Sequence, residues 1–298
     1  MTIEKLHTCT GHRAAVYALA PGRDDRHFLS TGGDGWIVEW DLDEPETGRL
    51  VASVETQVFS LAALADGRIV AGNMNGGVHW IDREKPEKTQ NIQHHQKGVF
   101  DILAVGDWVF TAGGDGVLTR WNAETGRSIE SFQLSNQALR ALAFSETRNE
   151  LAAGASDNAI YLLDAVTLEL KNTLKNAHTN SVFTVAYSPD GRYLLSGGRD
   201  AMLRVRDLEN DGLPVSEQPA HLFTLNHLVF SPDGHWFATA SRDKTLKIWD
   251  ASTFELRKVV DLIRYGAHLR SVNRLLWLPG CLVSGGDDRT VMLWNIIN

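Results

Sequence analysis

The stretch LSTGGDGWIVEWD, residues 29–41, recurs along the chain in slightly altered form. Close copies are VFTAGGDGVLTRWN at 109–122 and FATASRDKTLKIWD at 237–250. Each copy has two short runs of branched, aromatic and small residues on either side of a turn rich in Gly, Asp or Ser, which is the pattern of a β-hairpin. The recurrence of this hairpin decides the fold class.

Seven copies follow one another at a spacing of 40 to 45 residues, which indicates a repeat architecture rather than unrelated domains. Most copies have three strands joined by tight turns and then a fourth, as in GRSIESFQL at 126–134. A lone sheet of about forty residues cannot bury both faces, so the copies must stack. We predict an all-β chain in which residues 1–298 form one domain. The copies end at Asp41, Asp82, Asn122, Asp164, Asp207, Asp250 and Asn295.

The two ends of the chain predict how the row of sheets closes. The last copy stops at WNIIN, directly after its third strand, and lacks a fourth. Residues 2–8, before the first copy, have the length of a strand and no other sheet to join. We predict that this segment completes the seventh sheet, because closing the row into a ring leaves no terminal sheet exposed.

Dipeptides at fixed places in the copies carry a family resemblance. Gly-His at 11–12 precedes Trp-Asp at 40–41, and Ala-His at 220–221 precedes Trp-Asp at 249–250. These pairs resemble the Gly-His and Trp-Asp marks of WD-repeat proteins, and the resemblance covers essentially the whole chain. It implies a seven-bladed β-propeller with four-stranded antiparallel blades and a docking surface around the mouth of the central channel.

Five copies contain a His, a Ser or Thr and an Asp, which invites comparison with a hydrolase triad. Five equivalent sets are too many for one accessible active site with an oxyanion hole. We instead predict structural relays, in which the carboxylate accepts from imidazole and the hydroxyl accepts from a Trp indole. The histidines are dispersed one per blade, so no metal site and no cofactor is predicted. The sets are His12, Ser30, Asp34 and Trp40; His95, Thr111, Asp115 and Trp121; His178, Ser196 and Asp200; His221, Thr239, Asp243 and Trp249; and His268, Ser284, Asp288 and Trp294.

Copies two and four depart from this pattern. Copy two has Ala71, Asn75 and Ile81 where Ser, Asp and Trp stand elsewhere, and copy four has Ala153 and Leu163 at the Ser and Trp positions. Neither has the His. We predict that these two sheets are sealed by apolar packing instead.

Copy five has Arg206 at the Trp position and an irregular outer segment, residues 209–219, with two prolines. Proline is tolerated mainly on edge strands, so sequence drift on an exposed edge is one interpretation. A docking site on the side of this blade is the other.

The resemblance also implies which residues face a partner. In WD-repeat proteins the residues three and five after the His, and the one before the turn Asp, tend to line the mouth. Here these positions combine aromatic rings with Met and Arg, the composition of interface hot spots. The arginines favour an acidic or phosphorylated segment over a basic one. An alternative is that the rings pack into the channel or between blades. The predicted partner-binding residues are Tyr17, Phe59, Met74, Phe100, Arg140, Phe183, Arg199, Asn226, Arg242, Asn273 and Asp287.

Charge and composition limit the function classes. The formal charge of −8 argues against nucleic-acid binding as the main activity, although the mouth arginines keep RNA or anionic-lipid binding as an alternative. A small-ligand or enzymatic site in the channel is a second alternative, but Asp287 is the one carboxylate among the mouth positions. The favoured function is a non-enzymatic scaffold that binds a protein or peptide segment.

The cellular setting follows from what the sequence lacks. No stretch approaches the roughly 20 apolar residues that cross a bilayer, so no membrane span is expected. Two cysteines, Cys9 and Cys281, do not make a disulfide framework and fit a reducing compartment. We predict a cytoplasmic protein, with the monomer favoured, and expect both thiols to be free.

Overall fold

The computed structural model describes residues 1–297 and consists of seven four-stranded antiparallel sheets arranged in a ring. Each innermost strand contacts the innermost strands of the two neighbouring sheets, and the seventh contacts the first. The described residues also form one four-residue α-helix, α1 (Leu262–Tyr265), and one 3-10 turn, Pro86–Lys88. Neither is long enough to cross a bilayer. The predicted seven-bladed β-propeller is confirmed.

The first four blades follow one another along the chain, each running from the channel outward. Their strands are β2 (Val16–Pro21), β3 (His27–Gly32), β4 (Trp36–Asp41) and β5 (Arg49–Ser53) in blade 1; β6 (Val58–Ala63), β7 (Ile69–Asn73), β8 (Gly77–Ile81) and β9 (Gln90–Gln93) in blade 2; β10 (Val99–Val105), β11 (Trp108–Gly113), β12 (Val117–Asn122) and β13 (Ser128–Gln133) in blade 3; and β14 (Leu139–Ser145), β15 (Glu150–Ala155), β16 (Ile160–Asp164) and β17 (Leu170–Leu174) in blade 4.

The remaining blades repeat this order, except that the outer strand of blade 7 comes from the other end of the chain. The strands are β18 (Val182–Tyr187), β19 (Tyr193–Gly198), β20 (Met202–Asp207) and β21 (Leu213–Pro219) in blade 5; β22 (Leu225–Phe230), β23 (Trp236–Ser241), β24 (Leu246–Asp250) and β25 (Leu256–Val260) in blade 6; and β26 (Val272–Leu278), β27 (Cys281–Gly286), β28 (Val291–Ile297) and β1 (Thr2–Cys9) in blade 7.

The ring closes through the amino-terminal strand, as the sequence predicts. β1 pairs antiparallel with β28 from Thr2 opposite Ile297 to Cys9 opposite Val291, with one register shift between Lys5 and His7. Closure therefore depends on backbone hydrogen bonds between the two ends of the chain. Ring closure covers the faces of the first and last sheets, which an open row would leave exposed, and β1 is the edge strand of blade 7 as the fourth strand is in every other blade.

Apolar side chains fill the gaps between blades. One cluster joins blades 7 and 1 through Trp40, Phe28, Cys9, Cys281 and Val283, and equivalent clusters lie between other neighbours. Burying a large apolar side chain stabilises the fold by roughly 1.5–3 kcal/mol, so most of the stability lies between blades. Both cysteines are free thiols, and burial raises their pKa, to about 12 for Cys9 and about 11 for Cys281.

The irregular outer segment of blade 5 is an ordered edge strand. β21 pairs with β20 along its whole length, with a register shift between Val205 and Arg206. Arg206, which stands at the Trp position, donates from Nη1 to the carbonyl oxygen of Gly212 at 3.0 Å. The arginine therefore ties the outer turn to the blade where other blades bury an indole.

Candidate functional site

One backbone contact, repeated in all seven blades, builds the mouth. The residue before the turn Asp, or its equivalent, donates its N–H to the carbonyl of the residue three after the His position, at 2.8 to 3.0 Å. Gly33 to Ala15 in blade 1 and Met74 to Gln57 in blade 2 are examples. The positions that line the mouth in WD-repeat proteins therefore align in every blade, including the two blades that lack the His.

The residue five after the His position lies at a register shift in every inner strand. In blade 1 the register passes from Val16 to Ala18, which leaves Tyr17 outside the ladder. Such a bulge re-aims one side chain. The equivalent bulges hold Tyr17, Phe59, Phe100, Arg140, Phe183, Asn226 and Asn273, all of them half-buried.

Five of these side chains form a continuous arc. Tyr17 meets Phe59 edge to face at 5.4 Å between ring centroids, and Phe59 stacks on Phe100 at 5.5 Å. The Arg140 guanidinium lies 4.0 Å from the centroid of Phe100 and 5.5 Å from that of Phe183. We call Tyr17, Phe59, Phe100, Arg140 and Phe183 the aromatic arc. Its members pack against one another through ring–ring and cation–ring contacts, so the arc is a largely preformed surface.

Arg140 is part of this arc rather than a free cation. Its Nε also donates to Ser156 Oγ at 3.0 Å. Burial, with a smaller contribution from Arg199, lowers the pKa of Arg140 below its usual value. The two ring faces and the hydroxyl accommodate the charge of Arg140 at this half-buried position.

The two mouth asparagines cross-link neighbouring blades. Asn226 donates to the Val272 carbonyl at 2.8 Å, and Asn273 donates to the Val16 carbonyl at 3.0 Å and to Asp287 Oδ1 at 2.7 Å. Burial, assisted by Asp287, raises the pKa of Tyr17. Asn226, Asn273 and Asp287 are thus engaged within the ring.

The exposed members of the predicted mouth set are Met74, Arg199 and Arg242. Within residues 1–297 neither arginine forms an ion pair. These three side chains are the ones a partner reaches without disturbing the ring.

An ion pair that the sequence did not predict crosses the central channel. Arg274 on β26 of blade 7 donates to Asp101 on β10 of blade 3 at 2.9 Å, and the second Asp101 oxygen accepts from Leu142 N at 2.8 Å. Nearby, His227 Nδ1 accepts from Leu275 N at 3.2 Å. Burial, then the charge of Arg274, lowers the pKa of His227 well below its usual value. The charged groups of the channel are therefore neutralised by one another.

The five predicted relays are present as hydrogen-bonded chains. The His Nδ1 to Asp distances are 2.9 to 3.1 Å, and the His Nε2 to hydroxyl distances are 2.7 to 2.9 Å. Where a Trp is present, its indole N–H donates to the same hydroxyl at 2.8 to 3.0 Å. The relay histidines and hydroxyls are buried, so no relay offers an accessible nucleophile.

The relay electrostatics follow from burial and pairing. Burial alone would raise the pKa of Asp243 and Asp288, but hydrogen bonds from His221 and His268 hold both below the usual range, Asp288 at about 2. Burial lowers the pKa of His221 and of His95. In blades 3 and 6 the relay thus places a half-buried carboxylate beside a buried imidazole that resists protonation.

Blades 2 and 4 fill the His position in different ways. In blade 2, Val54 occupies it and packs with Ala71 and Ile81 in one apolar cluster, as predicted. In blade 4, Ala153 and Leu163 pack in an apolar cluster as predicted, and a polar contact that was not predicted is added: Ser135 Oγ and Tyr161 Oη both donate to Asp157 Oδ2 at 2.6 Å. A Ser forty residues after His95 was the sequence signal for this shortened relay.

Two cavities, of about 460 and 820 Å³, lie between the outer parts of blades 1 and 2. At the first, Arg49 and Arg83 donate to Glu39 at 2.6 and 2.5 Å, and in the second His79 is bonded on both ring nitrogens. These side chains are therefore already engaged within the protein.

Comparison with known proteins agrees with this geometry. The family model described as WD domain, G-beta repeat matches residues 3–41, 168–207, 212–250 and 261–295, slightly more than half of the chain. The crystal structure of the WD40 β-propeller domain of Doa1 superposes with a TM-score of 0.87, covering 100% of this chain and 98% of that one at 18% identity.

Curated relatives are similar over about two thirds of the chain. Denticleless protein homolog A of Xenopus laevis is 24% identical over 227 residues, which is 66% of this chain and 29% of the relative. Eukaryotic translation initiation factor 3 subunit I of Vanderwaltozyma polyspora is 24% identical over 221 residues, 65% of this chain and 61% of the relative. Cell division cycle 20.6, cofactor of APC complex, of Arabidopsis thaliana is 29% identical over 202 residues, 61% of this chain and 45% of the relative. The chain thus spans less than two thirds of each of these proteins. With its seven blades, its relays and its family-model matches, the chain belongs to the WD40 repeat family.

Proposed function

We propose that the protein is a non-enzymatic scaffold that binds a segment of a partner protein at the mouth of the propeller. The observation that carries the proposal is the pairing of a preformed aromatic arc with exposed, unpaired Arg199 and Arg242 and exposed Met74. Rigid rings bury area with little loss of entropy, and arginine adds charge-assisted hydrogen bonds. WD40 propellers typically act as protein-interaction scaffolds, which supports the same function.

The names of two relatives agree with a scaffold. One is a subunit of a translation initiation factor and another is a cofactor of a complex. Those assemblies belong to the relatives, and the partner of this chain is defined here only by chemistry. A cytoplasmic location and a monomeric state stay predictions.

The channel gives little support to an enzymatic or small-ligand function. Catalysis needs titratable groups that converge on an open pocket. Asp101 and Arg274 instead neutralise each other across the channel, and Asp101 also accepts from a backbone N–H. The relays supply buried groups that already have partners. Binding of RNA or anionic lipid through Arg199 and Arg242 is the other alternative, and it predicts an affinity that falls steeply with salt.

The test is partner capture with a mouth variant. Met74→Ala combined with Arg199→Ala removes two exposed side chains without opening the core, so the fold is preserved. We expect proteins captured by the wild-type chain, identified by mass spectrometry, to be lost by this variant.

A matched control removes the same kinds of side chain elsewhere. Arg127→Ala with Ile129→Ala changes an exposed cation directly before outer strand β13 and an exposed apolar group on that strand. It should capture the same proteins as the wild type. Unchanged capture by the mouth variant, or equal loss in the control, would show that the mouth is not the docking surface.

A further inference from the structure

The mouth end of blades 6 and 7 has a surface unlike that of the other blades. Four loop segments build it: residues 220–224, 241–245, 261–271 and 286–290. Their exposed side chains fall into only two kinds. The apolar ones are Leu222, Phe223, Leu262, Ile263 and Leu269, and the basic ones are Arg242, Lys244, Arg264, Arg270 and Arg289. We call these ten residues the rim.

The apolar members of the rim are unusually open to solvent. Leu222, Phe223 and Leu269 are 85, 59 and 61% exposed, and Ile263 on α1 is 95% exposed. Single exposed apolar residues are normal, but a group of five on adjacent loops is typical of an interaction site. The equivalent loops of blades 1 to 5 contain one exposed large apolar side chain, Met74.

The relays hold apolar and basic residues side by side. The N–H of Leu222 donates to Asp243 at 3.0 Å, and Lys244 follows Asp243 directly. In blade 7, Leu269 N donates to Asp288 at 2.8 Å, and Arg289 follows. The same construction in blade 1 places Arg13 beside Gly35, in blade 3 Gln96 beside Gly116, and in blade 5 Thr179 beside Ala201. Only blades 6 and 7 repeat a Leu next to a cation.

The turn position of these two cations has the same backbone conformation in every blade. Lys244 and Arg289 have φ of 74° and 67°, in the left-handed region that favours glycine. Blades 1 to 3 have glycine at this position, as at Gly35, whereas blades 4 and 5 have Asn158 and Ala201 with φ of 72° and 62°. Lys244 and Arg289 therefore differ from the equivalent residues of the other blades in their charge rather than in their backbone.

The charge of the rim indicates what kind of partner covers it. Arg242, Lys244, Arg270 and Arg289 form no ion pair within the described residues, and the chain as a whole has a charge of −8. The acidic groups of these loops are only partly exposed, and Asp243 and Asp288 are already bonded to His221 and His268. An acidic partner is therefore attracted to this sector and repelled by much of the remaining surface.

We propose that the rim binds one segment of a partner protein that combines carboxylate side chains with large apolar side chains. The apolar groups of that segment cover Leu222, Phe223 and Leu269, and its carboxylates pair with Lys244, Arg270 and Arg289. The proposal rests on the proposed function, because it assumes that the mouth end of the ring is the docking end, and it adds where the segment lies and what it contains.

The test begins with a randomised library of short displayed peptides, selected on the whole protein. We expect the selected sequences to be enriched in Asp or Glu together with Leu, Ile or Phe. Their affinity, measured by fluorescence anisotropy, should fall about tenfold or more in Leu222→Ser with Phe223→Ser and in Arg270→Glu with Arg289→Glu. Arg13→Glu with Lys97→Glu makes the same charge change on the loops that follow the relay His in blades 1 and 3 and should leave the affinity unchanged.

A second pair of variants separates strain from binding. Lys244→Gly and Ala201→Gly both relieve a left-handed non-glycine residue at the same turn position, so both should raise the Tm. Only Lys244→Gly should weaken peptide binding. Equal affinities of the two variants would contradict a binding role for Lys244.

Other outcomes overturn the proposal in distinguishable ways. Peptides that lose binding with Met74→Ala and Arg199→Ala but not with the rim variants would leave the proposed function standing and exclude the rim. Selection of basic or uncharged sequences, or of no sequence, contradicts the proposal. Self-association in solution that Leu222→Ser with Phe223→Ser abolishes would assign the rim to a second copy of the chain. Binding to phosphatidylserine vesicles without peptide binding would assign it to a membrane.

Discussion

Blades 6 and 2 fill equivalent gaps between neighbouring sheets, blade 6 with a hydrogen-bonded relay and blade 2 with apolar side chains. In blade 6, His221 bonds to Asp243 at 2.9 Å and to Thr239 at 2.8 Å, and Trp249 donates to the same threonine. In blade 2, the His, Ser and Trp positions hold Val54, Ala71 and Ile81 in one buried apolar cluster. Both solutions fill the space between the neighbouring sheets.

The difference teaches that members of the relay depend on one another. Losing one member leaves the others buried without partners, at about 1–3 kcal/mol for each unpaired group. Blade 2 has lost all four members together, with Asn75 at the Asp position, and blade 4 has replaced its His by Ser135 while Tyr161 supplies a second donor to Asp157. Blade 5 lacks only the Trp, and its Ser196 still pairs with His178 at 2.9 Å. A blade therefore departs from the full relay where the polar members that remain keep a partner.

Acid should produce the largest difference between blades with and without a relay, because the turn carboxylates of all five relays have a lowered pKa. Burial lowers the pKa of His95 and His221, so the unfolded chain takes up a proton below about pH 6.5 where the folded chain resists it. Stability is thus lost as pH falls below that value. The relay carboxylates, with pKa lowered by their His partners despite burial, contribute stability above about pH 3.9 that is lost as pH falls through their folded values, about 2 for Asp288.

Hydrogen exchange followed by mass spectrometry checks this order. On acidification, β22 and β23 of blade 6 should lose protection before β6 and β7 of blade 2, which has no relay. Earlier loss of protection in blade 2 would show that the relays do not control acid stability.

His221→Ala should produce the largest effect of a single substitution. It leaves Asp243 buried without its imidazole partner and opens a cavity beside Thr239, so we expect the free energy of unfolding to fall by about 3 kcal/mol. Val54→Ala at the equivalent position of blade 2 removes only two methyl groups and should cost about 1–2 kcal/mol. Denaturant titration of both variants checks the difference. Equal losses in the free energy of unfolding would mean that the relay stabilises the blade only by filling space.

Much of the fold and of the mouth was predictable because every blade has to fill the gap to its neighbour with residues at the same positions of the repeat. The turn Asp and the His that bonds to it occur at one spacing, so residues such as Asp34 and His12 could be assigned from the chain alone. The pair of Asp101 and Arg274 could not, because the two residues are 173 positions apart and meet only across a ring of this diameter. The packing of Arg140 between two rings likewise depends on the distance between blades.

Arg274→Met tests whether the ion pair across the channel, like a relay, leaves a buried group unpaired when one member is removed. Asp101 would stay buried with the Leu142 N–H as its remaining donor, so we expect a loss of about 2 kcal/mol in denaturant titration. Adding Asp101→Asn removes the unpaired charge, and the double variant should be less destabilised than the sum of the two single variants. Additive losses would show that the two side chains do not stabilise each other.

The smallest effect is expected in blade 4, where the relay is already reduced. Ser135→Ala removes one of two hydroxyl donors to Asp157, which keeps the Tyr161 hydroxyl at 2.6 Å and remains partly exposed to water. Since water replaces a lost donor at a half-exposed carboxylate, the free energy of unfolding should fall by only about 1 kcal/mol. Tyr161→Phe is the matched variant and should cost a similar amount, whereas Ser135→Ala with Tyr161→Phe should cost more than the two losses added, because no hydroxyl donor then remains. A loss in Ser135→Ala as large as that of His221→Ala would instead mean that one hydroxyl carries the whole seal of blade 4.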